Sequence, residues 1–453
     1  MLTTPLELTD ENAAHVRRHL LILAGAIFAV RAALLLLAPE SPLRTIPEPK
    51  GDEIGYLALT QHLAQSNFTS YRIPGDSVDQ RRPPVVPVLA APVAKLFGQG
   101  RVFWFLWTLF QQACLASALA IAAWAALRLG FAISPWLFGI LAAFDMISFV
   151  FGVRFLSEAI YVLLFTLSYA VLVSALDRPQ AWKRAAVAGL LLGLVVITRP
   201  IAQFFFLPAL VLLLWRSPEK SLRRLLAPAC FLMAFLLPIG AWLIRNQAVH
   251  GQPFLSEISK VNLYRYWAPG IEAARENRPF LEVQAEYDVR FQAAVTDVDV
   301  ENAQLRQEFM MSEALPVIKS HPETIATFIV PGFYHVLLGR ATSPLNELYA
   351  KPADRGVMGH LRAMEDPFHI LLVWGEIAAL LGTYLLAALS ILRFLWNRDR
   401  RLPLLLFLLP IAYHLALSWG PEATARFRLP VMPWLLVLAA GALAGLGKKS
   451  PLR

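Results

Sequence analysis

Apolar runs of about 18 residues or more recur along most of this 453-residue chain, and no other feature restricts its fold as strongly. A helix of roughly 20 residues spans the ~30 Å hydrocarbon core of a bilayer. Lipid offers no hydrogen bonds to the backbone, so a spanning segment must be a helix or part of a closed barrel. Continuous apolar runs, with no period-two alternation, specify helices. Charge supports the same reading. Only 16% of the residues are charged and 57% are hydrophobic, with a mean hydropathy of +0.53. A soluble domain carries about 25% charged residues, so this chain cannot cover a water-facing surface. The expected class is an all-α polytopic membrane protein with about ten transmembrane helices. The net charge of +9 does not imply a nucleic-acid partner, because the basic residues lie in short clusters between apolar runs. The partner implied is the lipid bilayer.

Spans are expected near 20–37, 102–127, 135–151, 156–176, 185–197, 201–215, 225–244, 368–392, 402–419 and 430–446. The first run lacks a small-residue cleavage site before Pro39 and reads as a retained span. With the N-terminus inside, one side receives Arg17 and Arg18, Arg128, Arg178 with Lys183 and Arg184, and Arg216 with Lys220, Arg223 and Arg224. It also receives Arg393 with Arg398, Arg400 and Arg401, and Lys448 with Lys449. Positive charge in short loops marks the cytoplasm, which places both termini inside and makes the protein multi-pass in the cell inner membrane. Three regions follow: a transmembrane module over 1–244 with a first outer loop at 38–101, an extracytoplasmic loop with short helices over 245–367, and C-terminal spans over 368–453. Residues 322–338 are apolar but interrupted by Pro331, Gly332 and His335. They read as a helix lying on the surface, with a re-entrant segment as the alternative.

Several charges fall within spans or at their outer ends: Arg31, Asp145, Arg154, Glu158, Arg199, Arg245, Arg426 and Arg428. Ionisable groups at membrane depth are costly and face a cavity or a partner. With Asp52, Glu53 and Arg82 of the first loop, they outline an outward-facing polar cavity. Arginine's planar fork suits phosphate, so an anionic lipid or phosphorylated ligand is the class implied. Plainer roles stand beside this one. Arg31 can snorkel to the interface, Arg154 can pair with Glu158 at i,i+4, and Asp145 can be bonded to a neighbouring helix. Arg199 before Pro200 can simply mark a span boundary. A helix is expected over 52–65, where Asp52 is either an N-cap or a catalytic base. Asp52 and Tyr56 share a face, while Glu53 points about 100° away, so only one carboxylate can address a given ligand. His250, His321, His335, His360 and His369 lack metal-binding spacing, so no divalent metal is clearly required.

These residues resemble the motifs of the GT-C glycosyltransferases, in the family-39-like branch that holds the protein mannosyltransferases and the lipid A aminoarabinose transferase. Six segments carry the resemblance, in the same order: Asp52-Glu53-Ile54-Gly55-Tyr56, Arg82-Pro83-Pro84-Val85-Val86-Pro87 with Leu96-Phe97-Gly98, and Ser157-Glu158. Then come Thr198-Arg199-Pro200, Trp242-Leu243-Ile244-Arg245-Asn246 and Arg426-Phe427-Arg428-Leu429-Pro430. Val85 and Val86 depart from the Gly-Tyr of the family pattern. The resemblance implies a GT-C-like fold with juxtamembrane helices in the first outer loop. It implies an inverting transfer of a sugar from a polyprenyl-phosphate carrier to an extracytoplasmic acceptor, a cell-envelope glycan, lipid or protein. Asp52 and Glu53 would then be catalytic, and Tyr56, Arg82, Glu158, Arg199, Arg245, Asn246 and Arg426 would bind substrate or the lipid phosphate. Two other functions use the same arginines: a transporter or flippase of lipid-linked sugars, and a ligase that moves a whole glycan.

Overall fold

The computed structural model describes residues 10–176, 181–215, 222–295, 302–350 and 367–444, apart from the side chains of 10–17, 342, 343 and 368. Arg178, Arg216, Lys220, Lys448, Lys449, His360 and the loop residues 351–366 lie outside the described residues. Every regular element among them is helical. The first part runs α1 (Asp10–Leu37), α2 (Asp52–Gln65), α3 (Val78–Arg81), α4 (Val85–Phe97), α5 (Arg101–Arg128), α6 (Pro135–Ala143), α7 (Met146–Phe151), α8 (Glu158–Ala175) and α9 (Ala181–Val196). A 3-10 turn (Pro200–Phe204) leads into α10 (Phe206–Trp215), and α11 (Leu226–His250) ends the expected first module. The segment expected to form the outer loop, called the outer loop below, contributes α12 (Ile258–Asn262), α13 (Ala268–Glu276), α14 (Phe280–Ala294), α15 (Ala303–Ser320), α16 (Pro322–Thr327), α17 (Ile329–Leu338) and α18 (Thr342–Leu348). The chain closes with α19 (Pro367–Trp396), α20 (Arg401–Ala416), a 3-10 segment (Ala425–Val431) and α21 (Met432–Ala442).

Six helices among the described residues are long and apolar enough to cross a membrane: Arg18–Leu37, Arg101–Arg128, Glu158–Ala175, Leu222–His250, His369–Trp396 and Ala425–Ala442. Four expected spans fall on shorter pieces. These are α9 and α20 at 16 residues each, the apolar Pro200–Trp215 stretch, and the pair α6–α7. The α6–α7 break has a clear cause. A broken helix leaves carbonyls free at one end and N–H groups at the other. Arg31 donates to the Ala142 carbonyl at 2.8 Å, while the Asp145 carboxylate accepts from the Ser148 N–H at 3.4 Å. The positive charge thus meets the C-terminal end of α6, and the negative charge meets the N-terminal end of α7. Arg31 is fully buried and lies 3.8 Å from Asp145, so it does not snorkel.

Helix α9 packs on α11 at very short range. A Cβ at Gly189 would collide with the Phe231 carbonyl, and one at Gly193 with the Phe235 carbonyl. The Gly-x-x-x-Gly spacing puts both glycines on one face, so the two backbones meet directly. At one end of the bundle the basic side chains cap neighbouring elements. Arg400 donates to the Gly130 carbonyl, Arg393 to Ala444 at 3.0 Å and Arg184 to Ser174 at 2.8 Å. Asp52, Glu158, Arg199 and Arg426 all belong to the opposite end, since they sit at the N-termini of α2, α8 and the last 3-10 segment and just beyond the C-terminus of α9.

The outer loop has a core of its own, in which Tyr264, Tyr287 and Met310 are buried together. A buried polar joint ties it to the first loop: Arg306 donates to Gln80 at 2.6 Å and pairs with Glu257 at 2.7 Å. The apolar stretch 322–338 forms two helices, α16 and α17, separated at Phe328. Gly332 lets α17 press against the Trp419 backbone.

Candidate active site

Helix α2 begins at Asp52 because Gly51 takes a positive φ of 57°, a conformation that costs glycine little. Asp52 is therefore the first residue of the helix, not its N-cap. Its neighbour Glu53 turns inward. Glu53 accepts the Lys50 N–H at 3.0 Å and the Phe155 N–H at 2.8 Å, and pairs with Arg154 at 3.3 Å. Arg154 therefore serves Glu53, and also Glu347 at 3.7 Å, and not Glu158, the i,i+4 partner that its spacing offered. Glu53 ties α2 to the segment that leads into α8.

Asp52 faces the other way and holds two guanidinium groups. Arg82 donates to Oδ1 at 2.7 Å and Arg426 to Oδ2 at 3.1 Å. Gly55, one turn along α2, leaves the room for this contact: a Cβ there would lie 3.3 Å from Arg82 Nε and 2.7 Å from Val78. Arg426 also contacts Glu158, and so does Arg199. The result is a chain of ion pairs, Arg82–Asp52–Arg426–Glu158–Arg199, drawn from five separate segments. Three guanidinium groups face two carboxylates, which leaves one positive charge in excess. Glu158 is buried, whereas the Asp52 side chain is 34% exposed, so the chain opens to its surroundings at Asp52. Burial works to raise the Asp52 pKa, but the charges of Arg82 and Arg426 outweigh it and hold the carboxyl below its ordinary value. Tyr56 lies beneath Arg82, with the guanidinium 5.6 Å from its ring centre, and burial keeps its hydroxyl protonated.

Arg245 and Asn246 belong to a neighbouring group. Arg245 pairs with Asp79 at 3.0 Å, contacts His250 at 3.1 Å and lies over the Tyr71 and Trp242 rings. Asn246 accepts from Arg245 at 2.7 Å and donates to the Phe254 carbonyl at 2.6 Å. Tyr71 separates the two groups and donates to the Arg82 and Pro83 carbonyls. Sequence reasoning did not single out Asp79, Tyr71 or Glu347. Asp79 sits in a polar loop, 166 residues from the arginine it holds, and no local pattern marks such a pair. Arg199 lies over Tyr161, whose hydroxyl bonds the buried His414 at 2.8 Å. Among the described residues no three His, Cys, Asp or Glu side chains come together as a metal-binding group.

No family model and no curated protein sequence matches the chain. Solved structures do. The Archaeoglobus fulgidus oligosaccharyltransferase tethered to an acceptor peptide aligns with 94% of this chain and 49% of its own, at a TM-score of 0.53 and 13% identity. The same archaeal enzyme in complex with an inhibitory peptide and a dolichol-phosphate gives a TM-score of 0.53 and 14% identity, over 94% of this chain and 50% of its own. The chain thus spans about half the length of the oligosaccharyltransferase chains it matches. The Cupriavidus metallidurans ArnT bound to undecaprenyl phosphate aligns with 92% of this chain and 77% of its own at 13% identity, but at a TM-score of 0.37, too low to support an argument. At these identities the likeness establishes architecture alone: the chain has the helical fold of the matched half of the archaeal oligosaccharyltransferase.

Proposed function

We propose that this protein is an inverting glycosyltransferase that moves a sugar from a polyprenyl-phosphate carrier to an extracytoplasmic acceptor. The observation that supports this most is the placement of Asp52, a partly exposed carboxylate held between Arg82 and Arg426 at one end of a GT-C-type bundle. The solved neighbour's dolichol-phosphate complex suggests the same class of ligand for this site. Asp52 is the base. It takes the proton of the acceptor hydroxyl as the acceptor oxygen bonds the sugar's anomeric carbon and the bond from that carbon to the phosphate oxygen breaks. A single displacement of this kind inverts the anomeric centre. The leaving group is a lipid phosphate monoester, and Arg82, Arg199 and Arg426 neutralise its developing charge. General-base assistance contributes about 10²–10⁴-fold. Glu158 holds Arg199 and Arg426 in position, and Glu53 holds α2 rather than touching substrate.

The resting ion pairs add a consequence. Arg82 and Arg426 weaken Asp52 as a base while they rest on it. A donor phosphate that draws these arginines away raises the carboxylate's basicity, so the base strengthens once the donor is bound. The topology proposed with this function places both termini in the cytoplasm and the site outside the inner membrane.

Carrier binding tests the phosphate clamp. Hydrogen bonds to charged groups contribute roughly 1.5–3 kcal/mol each, or about tenfold to a hundredfold in affinity. Arg199→Ala and Arg426→Ala are expected to weaken binding of a polyprenyl phosphate by that factor, and Arg→Lys to recover only part, because lysine lacks the fork. Unchanged carrier affinity in both alanine variants, with lowered melting temperatures, would reduce the arginines to structural ties.

A further inference from the structure

The 3-10 segment entering the last span carries two arginines that diverge. Arg426 reaches Asp52 and Glu158, whereas Arg428 turns into a cavity lined by the α6–α7 break, α19 and α21. The cavity measures about 20 Å³, counted as the space open to a water molecule's centre. Its polar wall consists of Asp145, Glu376, Thr383 and Arg428, and Met432 is among its apolar lining. Arg428 is 2% exposed, and its Nε–H finds no acceptor in the protein. Behind Asp145, the Nε and Nη1 groups of Arg31 are likewise buried and unpartnered. A buried guanidinium N–H without an acceptor is costly, and sites of this kind are filled by water where space permits.

Charge and size together identify the ligand. Arg31 and Arg428 balance Asp145 and Glu376, so the cavity has no net charge to attract a cation or an anion. It offers an N–H to an acceptor and carboxylates to a donor, and water is both. A water needs about 10–15 Å³ by this measure and two to four polar partners, and the cavity supplies both. We propose that this cavity is a permanent hydration site, distinct from the candidate active site. Its water accepts from Arg428 Nε and donates to the carboxylate of Asp145 or Glu376. The residues it joins already anchor the end of the outer loop. Arg428 donates to the carbonyls of Val336, Leu337 and Gly339 at 2.8–3.0 Å, and Glu376 accepts the Ala341 N–H at 2.5 Å. The water therefore links the foot of the outer loop to the broken membrane helix.

Hydroxyl-radical footprinting of the purified full chain tests this, because radiolysis of a bound water oxidises a methionine beside it. Met432 and Met310 are matched controls, 3% and 2% exposed, and only Met432 lines the cavity. Met432 is expected to oxidise several-fold faster than Met310, and Ala379→Leu, which fills the cavity, to remove the difference. Equal slow oxidation of the two methionines in the wild-type protein would overturn the proposal. So would undiminished Met432 oxidation in a folded Ala379→Leu variant. Neither result depends on sugar transfer.

Discussion

Adjacent carboxylates at the head of α2 have opposite surroundings, and that difference separates their expected phenotypes. Glu53 is buried and accepts two backbone N–H groups, so Glu53→Gln weakens a structural joint. Loss of a buried charged acceptor of this kind costs roughly 1–3 kcal/mol. Thermal unfolding is expected to show that loss, while the variant that stays folded keeps part of its activity. Asp52 behaves differently with pH. Its folded-state pKa is depressed, so its ion pairs stabilise the fold above the ordinary carboxylate range and lose that effect as pH falls through the folded value. The base is accordingly ionised throughout the neutral range, and the acid limb of the kcat/KM profile, which reports the donor-free protein, lies below the ordinary Asp value of about 3.9. Removing one of the cations that depress it, in Arg82→Ala, moves that limb upward. An unmoved or lowered limb in the residual activity of Arg82→Ala would show that Asp52 is not the titrating base. At this scale the members of the ion-pair chain were legible. Glu158, Arg199 and Arg426 stood out as charges where lipid or its boundary was expected, and Asp52 and Arg82 as charges of the first loop within motifs that carry the resemblance. Their pairing was not legible, because i,i+4 spacing offered Glu158 to Arg154, and only packing assigned Arg154 to Glu53 and Arg199 to Glu158.

Helices were legible where a single apolar run carries its own hydrogen bonds, as α5 and α8 do. The break at 144–145 was not, because the run from 135 to 151 is apolar except for Asp145 and Ser148, and the residue that makes the break tolerable, Arg31, lies more than a hundred positions earlier. The outer loop was opaque for the same reason: its tie to α3 depends on Arg306 meeting Glu257 and Gln80. The α9–α11 contact offers a test at this scale. Gly189→Leu or Gly193→Leu forces two backbones apart, and overpacking of this kind typically costs about 1–3 kcal/mol or more. Both variants are expected to melt at lower temperature. Gly240→Leu on α11, where a Cβ meets nothing within 4 Å, is the control and is expected to melt near the wild type. Equal melting of all three would mean that the close approach of α9 and α11 is not present in the membrane.

The whole molecule places its two kinds of charge at opposite ends. Arg184, Arg393 and Arg400 cap helices at one end, while Asp52, Glu158, Arg199 and Arg426 join at the other. With the basic end in the cytoplasm, single cysteines near Gly75 and Arg290 label from outside with an impermeant thiol reagent, and one near Arg398 does not. Labelling at Arg398 in intact cells would put the site in the cytoplasm and remove the extracytoplasmic acceptor. The central claim is that Asp52, between its two arginines, performs a transfer rather than escorting a lipid across the bilayer. Turnover of a labelled polyprenyl-phosphate sugar by the purified protein tests it most directly, wild type against Asp52→Asn. The account predicts release of the free carrier phosphate by the wild type, and loss of that release in an Asp52→Asn variant that stays folded and still binds the carrier. Near-normal turnover in Asp52→Asn, or none in the wild type alongside movement of intact donor between leaflets, would contradict it.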